Sequence, residues 1–244
     1  MNRLLAASIT TVSVAVGTYS MLIWRRVSHI DSQHISSSDS ATLALSRSKS
    51  ASIINPRGHQ AFGTSRSTTV QVPQGIGDEE LLERFVKGFF GGIVFAPEGT
   101  ILRLLRARLV DFPELEAKEA PFQIWSASDL HQLKLPPLHS ILFGAFQVLE
   151  VHIEESHTGA EAPRQTNSYI DFGYHPTTGF AGFHRFSISR DLSDKDGAVT
   201  IEFADLVCNP TANQPIKLAL LMGFHKVYAK LLFREAVAKT LKGL

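Results

Sequence analysis

Phe180-Ala-Gly-Phe-His-Arg-Phe-Ser-Ile188 and Val199-Thr-Ile-Glu-Phe-Ala-Asp-Leu-Val207 decide how this chain is built. Both alternate side chains at a period of two, the pattern of a pleated strand. In the first, Phe186 and Ile188 fall on one side and Arg185, Ser187 and Ser189 on the other. In the second, Val199, Ile201, Phe203 and Val207 oppose Thr200 and Glu202. The intervening Asp191-Leu-Ser-Asp-Lys-Asp-Gly197 is polar and ends in glycine, which predicts a hairpin loop. Half-buried antiparallel strands with one wet face follow.

Upstream, Leu149, Val151 and Ile153 alternate with Glu150, His152 and Glu154, a third strand of the same kind. Helices precede the strands. Asp78-Glu79-Glu80 places acids in a first turn, where the helix dipole favours them, and Leu81, Leu82, Phe85 and Phe89 recur at helical spacing. Phe89-Phe90-Gly91-Gly92 ends that helix; the apolar run Phe89 to Phe95 is expected to cover the domain's own core. A second helix opens at Ala96-Pro97-Glu98-Gly99, with Ile101, Leu104, Leu105 and Leu109 on one face. The chain closes with a long helix predicted from Ile216 to Lys242, carrying a stripe of Leu220, Phe224, Val227 and Leu231. Helices, then strands, then one long amphipathic helix define an α+β domain over residues 78–244, the last helix packed on one sheet face.

The amino-terminal 77 residues have a different texture. Leu4 to Trp24 carries no charge and is flanked by Arg3 and by Arg25-Arg26. At about 1.5 Å per residue such a run spans a bilayer, so residues 1–27 are expected to be a single-pass transmembrane anchor. A signal peptide cleaved after Ala15-Val16-Gly17 and a mitochondrial presequence are the rival readings. Arg25, Arg26, Arg47 and Lys49 follow the span, which by the positive-inside rule directs the domain to the cytosol; a mitochondrial membrane is the alternative. Residues 28–77 contain twelve serines and no sustained apolar period, and are expected to form a disordered linker.

Charge separates these parts. Residues 1–77 carry seven Lys/Arg and two Asp/Glu, a net +5, whereas residues 78–244 carry seventeen and twenty-one, a net −4. A mildly acidic domain lacks the basic footprint of a nucleic-acid binder. Cys208 is the single cysteine, which excludes an intramolecular disulfide and a cysteine-based zinc site. The sequence holds no His-Glu-x-x-His motif, nucleophile elbow, P-loop or dinucleotide fingerprint, so neither a metal nor a cofactor is expected.

Ser168-Tyr-Ile-Asp-Phe-Gly-Tyr174, Gly182-Phe-His-Arg-Phe-Ser-Ile188, Val199-Thr-Ile-Glu-Phe203 and the helix bearing Phe224-His-Lys and Phe233-Arg-Glu resemble the family called domain of unknown function 1990. That family is similar to the START and polyketide-cyclase superfamily. The resemblance covers roughly residues 80–244 and implies a helix-grip fold: an antiparallel sheet wrapped around a long C-terminal helix, with an apolar cavity between them. The family has two acidic residues after the glycine matching Gly182, where Phe183 and His184 stand here.

Alternation places His184 beside Phe186 and Ile188, and Asp205 beside Phe203 and Val207, all on the inner face. If Ile188 pairs with Ile201, His184 falls opposite Asp205. A buried His184–Asp205 pair is the candidate general acid/base for an enzyme on a hydrophobic substrate. The more economical expectation is binding of a lipid or other hydrophobic small molecule by a membrane-tethered domain, with Tyr174, His184, Phe186, Phe203, Asp205, Phe224 and Tyr228 around the ligand. A non-catalytic interaction module with a filled core is the remaining alternative.

Overall fold

The computed structural model describes residues 17–110, 112, 115, 121–132, 134–154, 165–177, 179–191, 197–216 and 219–244. Its helices are α1 (residues 17–27), α2 (Leu43–Ser46), α3 (Lys49–Ile54), α4 (Asp78–Phe90), α5 (Ala96–Leu105), α6 (Ala127–His131) and α7 (Ala219–Leu241). Its strands are β1 (Ser36–Ser38), β2 (Ala61–Gln71), β3 (Gln123–Ile124), β4 (Ile141–Leu142), β5 (Phe146–His152), β6 (Gln165–Thr177), β7 (Phe180–Asp191) and β8 (Ala198–Cys208). The fold class is α+β. The strands form one sheet in the order β1-β2-β8-β7-β6-β5-β4-β3, antiparallel throughout except for the short β3–β4 pair.

The β7–β8 register pairs Ile188 with Ile201 and His184 with Asp205. The turn joining them, residues 192–196, lies outside the described residues. On the inner face a phenylalanine-rich core joins the sheet to α4 and α7. Phe186 stands edge-on to Phe85 (centroids 5.2 Å) and Phe89 (4.9 Å), and Phe85 meets Phe233 of α7 at 5.9 Å. Phe90, Phe95, Phe143, Phe146 and Phe172 continue the cluster. The run Phe89 to Phe95 therefore builds core. Its second glycine, Gly92, admits a carboxylate: Glu235, buried on α7, accepts from the backbone amides of Ile93 (2.9 Å) and Val94 (2.8 Å). A Cβ on Gly92 would stand 2.3 Å from that carboxylate. Gly88 likewise lets α4 lie against the backbone of Ala236.

Four expectations are corrected. The first concerns residues 28–77, which are not a disordered linker. They supply β1, α2, α3 and β2, and β2 pairs with β8 from Ala61–Cys208 to Gln71–Ala198. Their serines mislead because several have local work: Ser48 caps α3 by accepting from the Ala51 amide, as Thr42 caps α2 from Leu45. The second concerns the outer sheet face, which is not wet. Leu45, Ala51 and Ile54 pack with Leu149, Phe183, Leu206 and Cys208 in a second apolar cluster. Burial there pushes the Cys208 thiol up to about 11, and its Sγ–H points at the Ile54 carbonyl (3.6 Å).

The third correction is the rotation of α7. Val227 is 63% exposed, and the buried row is Ala229, Leu232, Phe233, Ala236 and Val237. The small alanines permit the close approach to α4 that a Leu/Phe stripe would prevent. The side chains of Leu220 and Phe224 lie outside the described residues. The fourth concerns α5, which turns Ile101, Leu104 and Leu105 outward and presents Glu98, Gly99 and Leu102 to the body of the molecule.

Among the described residues no helix is long and apolar enough to cross a membrane. Residues 1–16, which hold most of the run Leu4 to Trp24, lie outside them. The described part of that run packs on the domain: the Tyr19 hydroxyl donates to the Ile93 carbonyl and Ile23 packs against the core, while Val27, just beyond the run, is buried. Met21, Leu22 and Trp24 face outward.

Candidate functional site: a cavity between the C-terminal helix and the sheet

Phe186 and Phe203 fill the space between sheet and α4, but the packing opens toward the β7–β8 residues nearer Gly182 and Val207. There α7, α5 and the inner sheet face line a pocket of about 380 Å³ that is partly open to solvent. Apolar walls come from Phe89, Phe95, Leu102, Leu109, Phe146 and Leu232. Six polar side chains also line it: Glu98, Tyr174, His184, Asp205, His225 and Tyr228.

Strand geometry sets the first group. β6, β7 and β8 lie side by side, so the pleat carries Tyr174, His184 and Asp205 to one end of the inner face. The Tyr174 and His184 rings sit 4.7 Å apart, and the His184 ring is 5.1 Å from that of Phe203. His184 is 8% exposed, and its Nδ1 has no hydrogen-bond partner among the described residues. Burial, then the nearby His225 and Arg66, bring its pKa down to about 3, so the imidazole is neutral. Burial also raises the Tyr174 phenol well above its ordinary value.

Asp205 is 1% exposed and is held from the other side, by β2. One carboxylate oxygen, Oδ1, accepts from the Thr64 backbone amide at 3.2 Å and from the Thr64 hydroxyl. The hydroxyl is itself approached by Arg66 Nη1 at 3.2 Å, and Arg66 Nη2 reaches the Lys226 carbonyl of α7 at 3.4 Å. Arg66 is 5% exposed, with its pKa lowered by burial against the attraction of Asp205. The other oxygen, Oδ2, has no hydrogen-bond partner among the described residues. Its nearest base is His225 Nε2 at 4.0 Å, beyond hydrogen-bond reach. Burial raises the Asp205 pKa despite the Thr64 donations, and burial lowers that of His225 despite Asp205.

The expected His184–Asp205 pair is therefore corrected. The residues are neighbours across the ladder, yet no hydrogen bond joins their side chains; Thr64 holds the carboxylate, which faces His225 instead. On α5, Glu98 accepts from the Tyr228 hydroxyl at 2.8 Å; burial raises the pKa of both groups, against the Tyr228 donation in the case of Glu98.

Tyr174, His184, Phe203, Asp205 and Tyr228 thus line one space, as alternation and the α7 sequence suggest. Phe186 does not; it is wholly buried in the aromatic core. The Phe224 side chain lies outside the described residues. Sequence reasoning missed Glu98, Leu102, Phe146 and His225 as lining residues, and Thr64 and Arg66 behind Asp205. The one available signal for the last two was Ser67-Thr-Thr-Val70, a β-branched run inside the serine-rich stretch. Among the described residues no group of three or more His, Cys, Asp or Glu side chains is placed to hold a metal ion.

The fold and site define an α+β protein with an apolar interior cavity and a small polar cluster at its wall. No protein-family model matches the chain, and no curated protein matches it.

Proposed function

We propose that this chain binds, and in a membrane setting transfers, a lipid or other hydrophobic small molecule within the cavity under α7. The carrying observation is the cavity itself: about 380 Å³ of mostly apolar wall in an otherwise phenylalanine-packed interior. The volume falls within the range of small-molecule sites, as does the ratio of many apolar side chains to few polar ones.

We read the fold as a helix-grip of the START and polyketide-cyclase kind. The support is topological: the first long strand, β2, pairs with the last strand β8, α4 and α5 follow β2, and α7 ends the chain against the inner face. The proposed membrane contact is the apolar run Leu4 to Trp24. The outward Met21, Leu22 and Trp24, together with Ile101, Leu104 and Leu105 on the helix covering the cavity, favour a bilayer nearby.

Titration of the full chain with the neutral fluorophore N-phenyl-1-naphthylamine tests the binding reading. The expected result is saturable enhancement at one site per chain, abolished by Ala145→Trp, which fills the cavity while the variant keeps a cooperative melt. Non-saturable enhancement, or enhancement unchanged in that variant, would remove the reading.

A further inference from the structure

Resting on the cavity reading, we infer that the ligand ends in a hydroxyl group, which bridges Asp205 Oδ2 and His225 Nε2: an amphipathic alcohol rather than a carboxylate, an amine or a pure hydrocarbon. Oδ2 is a buried acceptor left without a hydrogen-bond partner among the described residues, on a residue that lines the cavity. Such an atom costs free energy unless something donates to it. The other oxygen of Asp205 is already engaged by Thr64 through two donors, so the carboxylate cannot rotate to satisfy Oδ2 without losing them.

The 4.0 Å gap between Oδ2 and His225 Nε2 is too long for a direct bond. That separation would place a single bridging oxygen at ordinary hydrogen-bond distance from each. To bridge, it must donate to the carboxylate and accept from the imidazole N–H. A hydroxyl does both with a single oxygen. An ether oxygen accepts only. An ionised carboxylate would place a second anion against Asp205. An ammonium would meet Arg66, which already supplies the positive charge beside Asp205 and is itself buried. His184, with its own unpartnered Nδ1 in the same wall, offers a further polar contact to the end group.

The test is displacement of N-phenyl-1-naphthylamine from the full chain by dodecanol, dodecyl methyl ether and dodecanoate, which share one alkyl tail. The alcohol is expected to displace at concentrations about tenfold below either competitor, the factor for one buried hydrogen bond made or lost. Asp205→Asn puts an amide N–H₂ where Oδ2 stood and turns an acceptor into a donor. The alcohol's advantage over the ether is then expected to vanish or invert. Equal displacement by alcohol and ether on the unmodified chain overturns the inference while leaving the cavity reading intact, and so does a preference for dodecanoate. If the fluorophore and all three ligands fail to bind, both fall together. The ligand series on the unmodified chain decides the matter even if the variant does not fold.

Discussion

β7 and β2 flank the same strand, β8, over nearly the same register, yet one announces itself in the sequence and the other does not. The inner row of β7 is Gly182, His184, Phe186 and Ile188; that of β2 is Thr64, Arg66, Thr68 and Val70. Both rows are largely buried. β7 is buried because its phenylalanine and isoleucine leave water for the aromatic core. β2 is buried because its polar groups have partners that arrive from far along the chain: Asp205 for Thr64, and the Lys226 carbonyl for Arg66. Burial of a polar row is tolerated only when it is paired, and here the pairing creates the polar wall of the cavity.

The comparison is broken most directly at Phe186. Phe186→Ala removes a ring in contact with Phe85, Phe89, Phe172 and Phe203, and urea unfolding is expected to show about 3–5 kcal/mol lost. A loss below about 1 kcal/mol would mean that the aromatic cluster is not the core. Ile54→Ala, on the cover of the outer face, is expected to cost about 2–4 kcal/mol by the same assay. A neutral result there would return residues 28–60 to the status of a linker.

On the β2 side the effects are smaller. Thr64→Val deletes one of the two donors to Asp205 and is expected to cost about 1–2 kcal/mol, with no change in far-ultraviolet circular dichroism. Acid sensitivity sharpens the contrast. His184 titrates near 3 when folded and near 6.5 when unfolded, so below about pH 6.5 the unfolded chain takes up a proton that the folded chain refuses. Stability is therefore fully present above that pH and declines as pH falls toward 3. The steepest loss from this group is roughly 1 kcal/mol per pH unit, and His225, also lowered by burial, acts in the same direction. His184→Asn should flatten the melting temperature between pH 4 and 6; an unaltered slope would show that the histidine is not buried neutral. Leu104→Ser, on the outward face of α5, should change stability by less than about 0.5 kcal/mol. Its effect is expected instead in flotation of the full chain with phosphatidylcholine liposomes, where a reduced floating fraction is predicted.

Legibility followed the apolar pattern. Alternation in residues 180–188 and 199–207 gave two strands and their inner faces; the pairing of Ile188 with Ile201, on which the juxtaposition of His184 with Asp205 depended, came from the register. It could not say whether those side chains bond, because a Cα register fixes which residues are neighbours and leaves χ angles to the packing around them. Acids at Asp78-Glu79-Glu80 and the double glycine marked both ends of α4, since capping and helix breaking are local effects. The α7 stripe was misplaced by its rotation. Every residue from Ala219 to Leu221 and many beyond are apolar, so the sequence admits several faces, and Gly88 opposite Ala236 selects one.

Local chemistry thus determined the class of the molecule, the strands β5, β7 and β8, the helices α4, α5 and α7, and the set of polar residues brought to one end of β6, β7 and β8. Only the tertiary structure decided that a serine- and threonine-rich stretch would be a strand, that the outer face would be covered, and that Asp205 would turn to Thr64 and His225 rather than to His184. The reason is the range of the forces. Hydrophobic periodicity is written into neighbours a few positions apart, whereas Asp205 and Arg66 are held by partners more than a hundred residues away, and no window on the sequence contains both.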